Sequence, residues 1–134
     1  MPDTFANNER MDDSLAQVTF RKEFPRAEHV KWSYNGDYIK ASFILDASGV
    51  VAFFNQDGEL VGFARNVLYS QLPLAVITSF EKRFTKESIS GIGITEITNA
   101  GRCRYMFPLE LDGKKYNATY YQDGTLSTIK KLKK

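Results

Sequence analysis

The sequence has little of the residues around which small catalytic, metal-binding or disulfide-stapled proteins are built: one cysteine and one histidine in 134 residues. A single thiol, Cys103, forms no intramolecular bridge, so the disulfide framework of many small secreted domains is excluded, although this does not decide the compartment. A lone imidazole, His29, excludes a metal site of paired histidines and makes any Ser-His-Asp triad depend on one residue. No apolar run approaches the roughly 18 residues that cross a bilayer. The opening Met1-Pro2-Asp3-Thr4-Phe5 has neither the basic nor the apolar region of an export signal. The chain is expected to be either cytosolic or a mature exported form whose signal was replaced by a start methionine. One-sided charge is also lacking: 18 Lys and Arg against 16 Asp and Glu leave +2. Much of that excess sits in Lys130, Lys131, Lys133 and Lys134. This is too little to argue for nucleic acid, and the lysine run has no interleaved aromatics to stack bases.

What is abundant is aromatic and apolar residues, 13% and 43% of the chain. A chain of this length buries well over half its unfolded surface, and aromatic richness favours strands over helix bundles. The first thirteen residues show no periodicity and are expected to be a flexible lead-in. Ser14 is placed to cap a helix carrying Leu15, Val18, Phe20 and Phe24, closed by Pro25 because the residue before proline avoids the α region. Alternating Val30, Trp32 and Tyr34 then lead to Asn35-Gly36, which suits a hairpin turn with positive φ at both positions. Ile39 to Leu45 alternate up to a turn at Asp46 to Gly49, Val50 to Phe54 run to Gln56-Asp57-Gly58, and Leu60 opens a fourth strand.

The programme restarts at Leu72-Pro73, with Val76, Ile77, Phe80 and Phe84 on one helical face. Strand-like residues from Ile89 to Ile97 reach Asn99-Ala100-Gly101. Cys103, Tyr105, Phe107, Leu109 and Leu111 alternate into Asp112-Gly113. Tyr116, Ala118 and Tyr120 run to Gln122-Asp123-Gly124, and Leu126 opens the last strand. The run from Val50 to Leu60 matches that from Tyr116 to Leu126 at an offset of 66, and the helix ends Phe24 and Phe84 at an offset of 60. Recurrence of one helix and three turns in the same order reads as a tandem duplication. The fold expected is α+β: a helix plus four-stranded antiparallel meander written twice, helices on one face of a curved sheet. The repeats are placed at 14–66 and 67–134 of one compact domain.

Side chains alternate along a strand, so the phase of Ala52, Phe54, Ala118 and Tyr120 is expected to face the helices. The opposite phase is Val51 and Phe53, with Val61 and Phe63 on the next strand, in the first half. In the second half it is Asn117, Thr119 and Tyr121, which looks solvated.

The pattern resembles the PepSY-like or β-lactamase-inhibitor-like proteins found mainly in Bacteroidetes. The residues carrying the resemblance are Phe24-Pro25 with Ala27, Val30 and Trp32, then Tyr38, Ala41 and Phe43, then Asn55-Gln56-Asp57-Gly58, and Leu72-Pro73. It covers about residues 14 to 132 and implies a tandem αββββ arrangement similar to β-lactamase inhibitory protein. It also implies a periplasmic or secreted mature protein. The family generally has a Tyr-Pro after the second helix where this chain has Phe84-Thr85, which leaves the helix end near Lys86 without its breaker.

Chemical constellations are thin. His29 reads as a surface residue. Cys103 lies on the apolar stripe, with Arg102 and Arg104 pointing to the other face, and reads as a small hydrophobe. The two Asp-Gly turns lack the ligand spacing of a calcium loop, and Glu96 and Glu110 are the only carboxylates placed on a sheet face. No catalytic residue, metal or cofactor is nominated. The remaining lead is the outward phase: Tyr38, Lys40, Val51, Phe53, Phe63, Arg104, Met106 and Tyr121, residue types enriched in protein interfaces. The expected function is a non-enzymatic exported module that holds a protein or peptide on the open sheet face, as an inhibitor or regulator of an envelope enzyme. The alternative is that this face is covered by the N-terminal segment, by the other half of the chain or by a second copy of the protein. The rival reading is a cystatin-like or NTF2-like ligand-binding protein or enzyme, which requires a closed cavity and no internal repeat.

Overall fold

The computed structural model describes residues 14–91 and 93–133. The expected lead-in over 1–13 lies outside them. Two helices and eight strands follow in the order α1 Ser14–Glu23, β1 Glu28–Asn35, β2 Tyr38–Leu45, β3 Ser48–Phe54, β4 Leu60–Val67, α2 Leu74–Glu81, β5 Ile94–Asn99, β6 Arg102–Leu111, β7 Lys114–Tyr121 and β8 Leu126–Lys131. The strands neighbour one another in chain order, an open antiparallel eight-stranded sheet with two helices, so the class is α+β with the sheet dominant. The chain divides into two units, one ending at Phe63 and one starting at Ala64.

In the first unit α1 is only ten residues long, marginal alone in water, so its stability comes from packing. It buries Ala16 and Phe20, followed beyond its end by Phe24, against Ile39, Ala41 and Phe43 of β2 and Val50, Ala52 and Phe54 of β3. Leu15 and Val18, predicted for the apolar face, are 54% and 57% exposed. The reason is the i, i+4, i+8 stripe of Ala16, Phe20 and Phe24, which leaves Leu15 and Val18 on its flanks. Phe20 meets Trp32 and Phe43 edge-on at 5.3 and 5.0 Å, the geometry that ring quadrupoles favour.

In the second unit α2 buries Val76 and Phe80 against Tyr105, Phe107 and Leu109 of β6 and Ala118 and Tyr120 of β7. Phe80 stacks on Phe107 at 4.2 Å and 11°. The helix starts one residue later than a first-turn proline would give, with Pro73 as the cap. It ends at Glu81, ahead of the expected boundary near Lys86, and a 3-10 turn over Lys86–Ser88 follows. Phe84 lies past the helix yet packs on the core. Ile89 forms an isolated bridge to Leu109, and β5 itself begins at Ile94.

Tight turns set the register. Asp46-Ala47, Ala100-Gly101 and Asp112-Gly113 are two-residue hairpin loops with positive φ at both positions, matching the right-handed twist of the strands they join. The first hairpin differs from expectation by one residue: Asn35 pairs with Tyr38, so the loop is Gly36-Asp37 and not Asn35-Gly36. The other recurring turn works differently. Gly58 and Gly124, at φ +81° and +94°, bring the turn against the helix of their own unit. A Cβ at Gly58 would stand 2.7 Å from the carbonyl carbon of Leu15, and one at Gly124 would stand 2.7 Å from the carbonyl oxygen of Ala75. Each Gln-Asp-Gly is therefore a place where backbone meets helix, and only glycine fits.

Candidate functional site

The burial of Ile39, Ala41, Phe43, Val50, Ala52 and Phe54 turns the intervening residues of β2 and β3 to the opposite face, as the phase argument predicts. On that face Lys40 stands across from Phe53 and Ser42 across from Val51. Lys40, Val51 and Phe53 are half-buried, and Tyr38, in the next row, is 44% exposed. These four form an aromatic and aliphatic patch with one amine.

Phe63 does not join them. Its ring lies 5.8 Å from that of Phe24, edge-on, packed against the helix-side core. Leu60, three residues earlier, packs on the same core, so strict alternation fails along β4, and a phase carried forward from Leu60 puts Phe63 on the wrong side.

In the second unit, strand pairing aligns Ile97, Arg104 and Tyr121 in one row and Thr95, Met106, Thr119 and Thr128 in the next. Arg104, Met106 and Tyr121 are all half-buried on this face. The guanidinium of Arg102 lies 5.9 Å from the Tyr121 ring centre, a cation–π contact. Thr119, expected to be solvated, is 8% exposed because Met106 and Thr128 flank it. A shallow depression of about 480 Å³ at the strand ends is lined by Arg102, Tyr121, Gln122 and Asp123 among others. The Asp123 carboxyl is held below its ordinary range, chiefly by the backbone N–H of Thr125 and in small part by Arg102. This face offers arginine, aromatic and thioether groups together, the set that anchors protein interfaces.

Glu96 lies on the other side of the sheet. It stands across from Tyr105, in the phase of Ile94. Its Oε1 accepts the Arg65 Nε–H at 2.7 Å, and its Oε2 accepts the Tyr105 hydroxyl at 2.9 Å. Burial first, and then that hydrogen bond to a carboxylate, push the Tyr105 phenol well above its ordinary value. The Arg65 guanidinium is raised above its ordinary value, first by its own hydrogen bond to Glu96 Oε1. With both oxygens engaged, Glu96 is a structural anchor.

His29 is exposed at a bulge of β1, at φ +56°. Cys103 packs beside the core with its Sγ 3.4 Å from Thr98 Oγ1. Among the described residues no three His, Cys, Asp or Glu are grouped to hold a metal ion, and no helix is long and apolar enough to cross a membrane.

No family model and no curated protein matches the chain. Solved structures do. A DUF2874 family protein from Bacteroides uniformis ATCC 8492 superposes with a TM-score of 0.78 at 16% identity over 88% of each chain. A protein from Bacteroides eggerthii DSM 20697, assigned provisionally to the periplasm, gives 0.79 at 17% identity over 89% of this chain and 88% of its own. A BLIP-like protein from Bacteroides fragilis NCTC 9343 gives 0.76 at 20% identity over 90% of this chain and 86% of its own. The likeness is one of fold: the architecture built here from helix, meander and turn is similar to that of a BLIP-like protein and of DUF2874 family proteins.

Proposed function

We propose that the protein is a non-enzymatic binding module that holds a protein or peptide partner on the faces of its strands turned away from the helices. The observation that carries this is the row of Arg104 and Tyr121, with Arg102 over the Tyr121 ring and Met106 in the next row. A strand face covered only by water has no use for a half-buried thioether and a clamped tyrosine, whereas interface hot spots are built from such groups. Tyr38, Lys40, Val51 and Phe53 supply a second patch in the first unit. The BLIP-like description of one structural neighbour supports a protein-binding role, and the description of another supports export to the periplasm. The role that follows is to inhibit or regulate an enzyme of the cell envelope. The two units are read as tandem copies, a reading supported by the matched turns in which Gly58 meets α1 and Gly124 meets α2.

The experiment is affinity capture from an envelope extract with wild type, Phe53→Asp and Tyr121→Asp, each first confirmed folded by circular dichroism. A captured protein is then purified and titrated back. Loss of its binding in either variant supports the reading and assigns the patch. If light scattering shows that the substitutions only turn a dimer into a monomer and no partner is captured, the patches serve self-association and the regulatory reading fails.

A further inference from the structure

We infer that the outward edge of β8 is a docking site for an acidic, extended segment of another protein, which adds there as a further strand. Among the described residues the strand order ends at β8. The Leu132 N–H donates to the Lys115 carbonyl at 2.8 Å, while Lys131 stands across from Tyr116 and Lys130 across from Asn117. In an antiparallel ladder successive residues turn their backbone groups to opposite edges. Lys130 and Leu132 therefore bond toward β7, and Ile129, Lys131 and Lys133 present N–H and C=O to the open side.

The side chains around that edge set the chemistry. A groove of about 520 Å³ is lined by Lys114, Lys115, Lys131, Leu132 and Lys133, with Gly113 at the turn. With Lys130 this corner carries five lysines against two carboxylates of the same hairpin, Glu110 and Asp112, which exceeds the whole formal excess of the chain. Among the described residues none of these lysines is in an ion pair, the two ion pairs being Arg26 with Asp46 and Arg65 with Glu96. Lysines on an edge strand deter pairing with a second copy, because like charges would then oppose one another. They do not deter an acidic strand.

Alternation also separates the candidate anions. Lys131 falls in the helix-side phase of Tyr116 and Lys130 in the opposite phase of Asn117, so the ammonium groups straddle the edge and do not share one plane. A flat anionic membrane would meet only part of them. The groove lining has no aromatic side chain on which a base could stack. A strand laid along the edge uses both features: its backbone pairs with Ile129, Lys131 and Lys133, and acidic side chains at every second position stand beside Lys131 and Lys133.

This site is separate from the strand faces proposed above, and the test keeps the two apart. A fluorescein-labelled octapeptide of alternating Glu and Val is titrated into the full chain by fluorescence anisotropy. Comparison peptides are the isomer with four Val followed by four Glu, and the alternating peptide N-methylated on either set of alternate amides. The alternating peptide should bind at least tenfold more tightly than the block isomer. Methylation of one set of amides should abolish binding and methylation of the other should leave it. The Lys131→Glu, Lys133→Glu double variant, confirmed folded, should lose at least tenfold, whereas Phe53→Asp should bind as wild type does. The amides of Ile129, Lys131 and Lys133 should gain protection from hydrogen exchange. Equal binding of the block isomer and both methylated peptides would overturn strand addition. So would phosphatidylserine vesicles or polyphosphate binding as tightly as the peptide, or a double variant that binds normally.

Discussion

Replacing Gly58 by alanine isolates the cost of the contact between turn and helix, because the first unit contains a matched control. Gly36 and Gly58 both have positive φ, +66° and +81°, but a Cβ at Gly36 would meet nothing within 4 Å. Gly36→Ala therefore carries only the left-handed backbone penalty of about 1–2 kcal/mol, offset by about 0.4–1 kcal/mol from the smaller entropy of the unfolded chain. A net loss near 1 kcal/mol is expected. Gly58→Ala carries the same and adds a clash, since the new carbon would stand 2.5 Å from Leu15 Cβ and 2.7 Å from its carbonyl carbon. Restoring ordinary contact requires moving α1 by about 1 Å from the core that Ala16 and Phe20 fill, an overpacking cost of about 1–3 kcal/mol. The total is about 2–4 kcal/mol, a large share of the stability of a small protein. Trp32, the single tryptophan, lies between Phe20 and Phe54, so its fluorescence in urea reports this unit. At about 2 kcal/mol per molar urea, the midpoint should fall by about 1–2 M for Gly58→Ala and about 0.5 M for Gly36→Ala. Equal shifts in the two variants would refute the account of the Gln-Asp-Gly turn as a point of helix contact.

Ala47 is the non-glycine counterpart, held at φ +68° in the loop after β2. Ala47→Gly should raise the urea midpoint, by no more than about 1 kcal/mol of stability, and a lowered midpoint would contradict the strain assigned there. Tyr69 tests electrostatics in the second unit. Burial, and then its hydrogen bond to the Glu81 carboxylate at 2.6 Å, push its phenol from the ordinary 10 up to about 12. The folded state favours the neutral phenol, so the stability this supplies is whole below pH 10 and is lost as pH rises toward 12. In an absorbance titration at 295 nm, Tyr69→Phe should remove a phenol that ionises near 12. Removal of one ionising near 10 would contradict both the burial of Tyr69 and its contact with Glu81.

The core phase, the strand sequence and most turns were legible in the chain because each rests on local rules. Two-fold alternation marks Ala52, Phe54, Ala118 and Tyr120 as inward, and Asp112-Gly113 turns a hairpin wherever it stands. Alternation placed Tyr38, Lys40, Val51, Phe53, Arg104, Met106 and Tyr121 on the face away from the helices, and the same rule misplaced Phe63. It failed there because β4 packs both Leu60 and Phe63 on one core, an irregularity that no local signal announces.

What the amino-acid order determined by itself was which residues could alternate, turn and pack, since dihedral preference and side-chain polarity are properties of short segments. Only the tertiary structure decided which contacts those segments make. It chose Ala16 over Leu15 as the buried residue of α1, because the helix is oriented by the Phe20 and Phe24 rings against β2. It joined Arg65, Glu96 and Tyr105 into one network across 40 residues of sequence. It gathered Lys114 and Lys115 with Lys131 and Lys133 at one edge, because antiparallel pairing of β7 with β8 folds distant charges onto the same spot. Long-range pairing is set by the summed burial of whole elements, and no segment carries that sum alone.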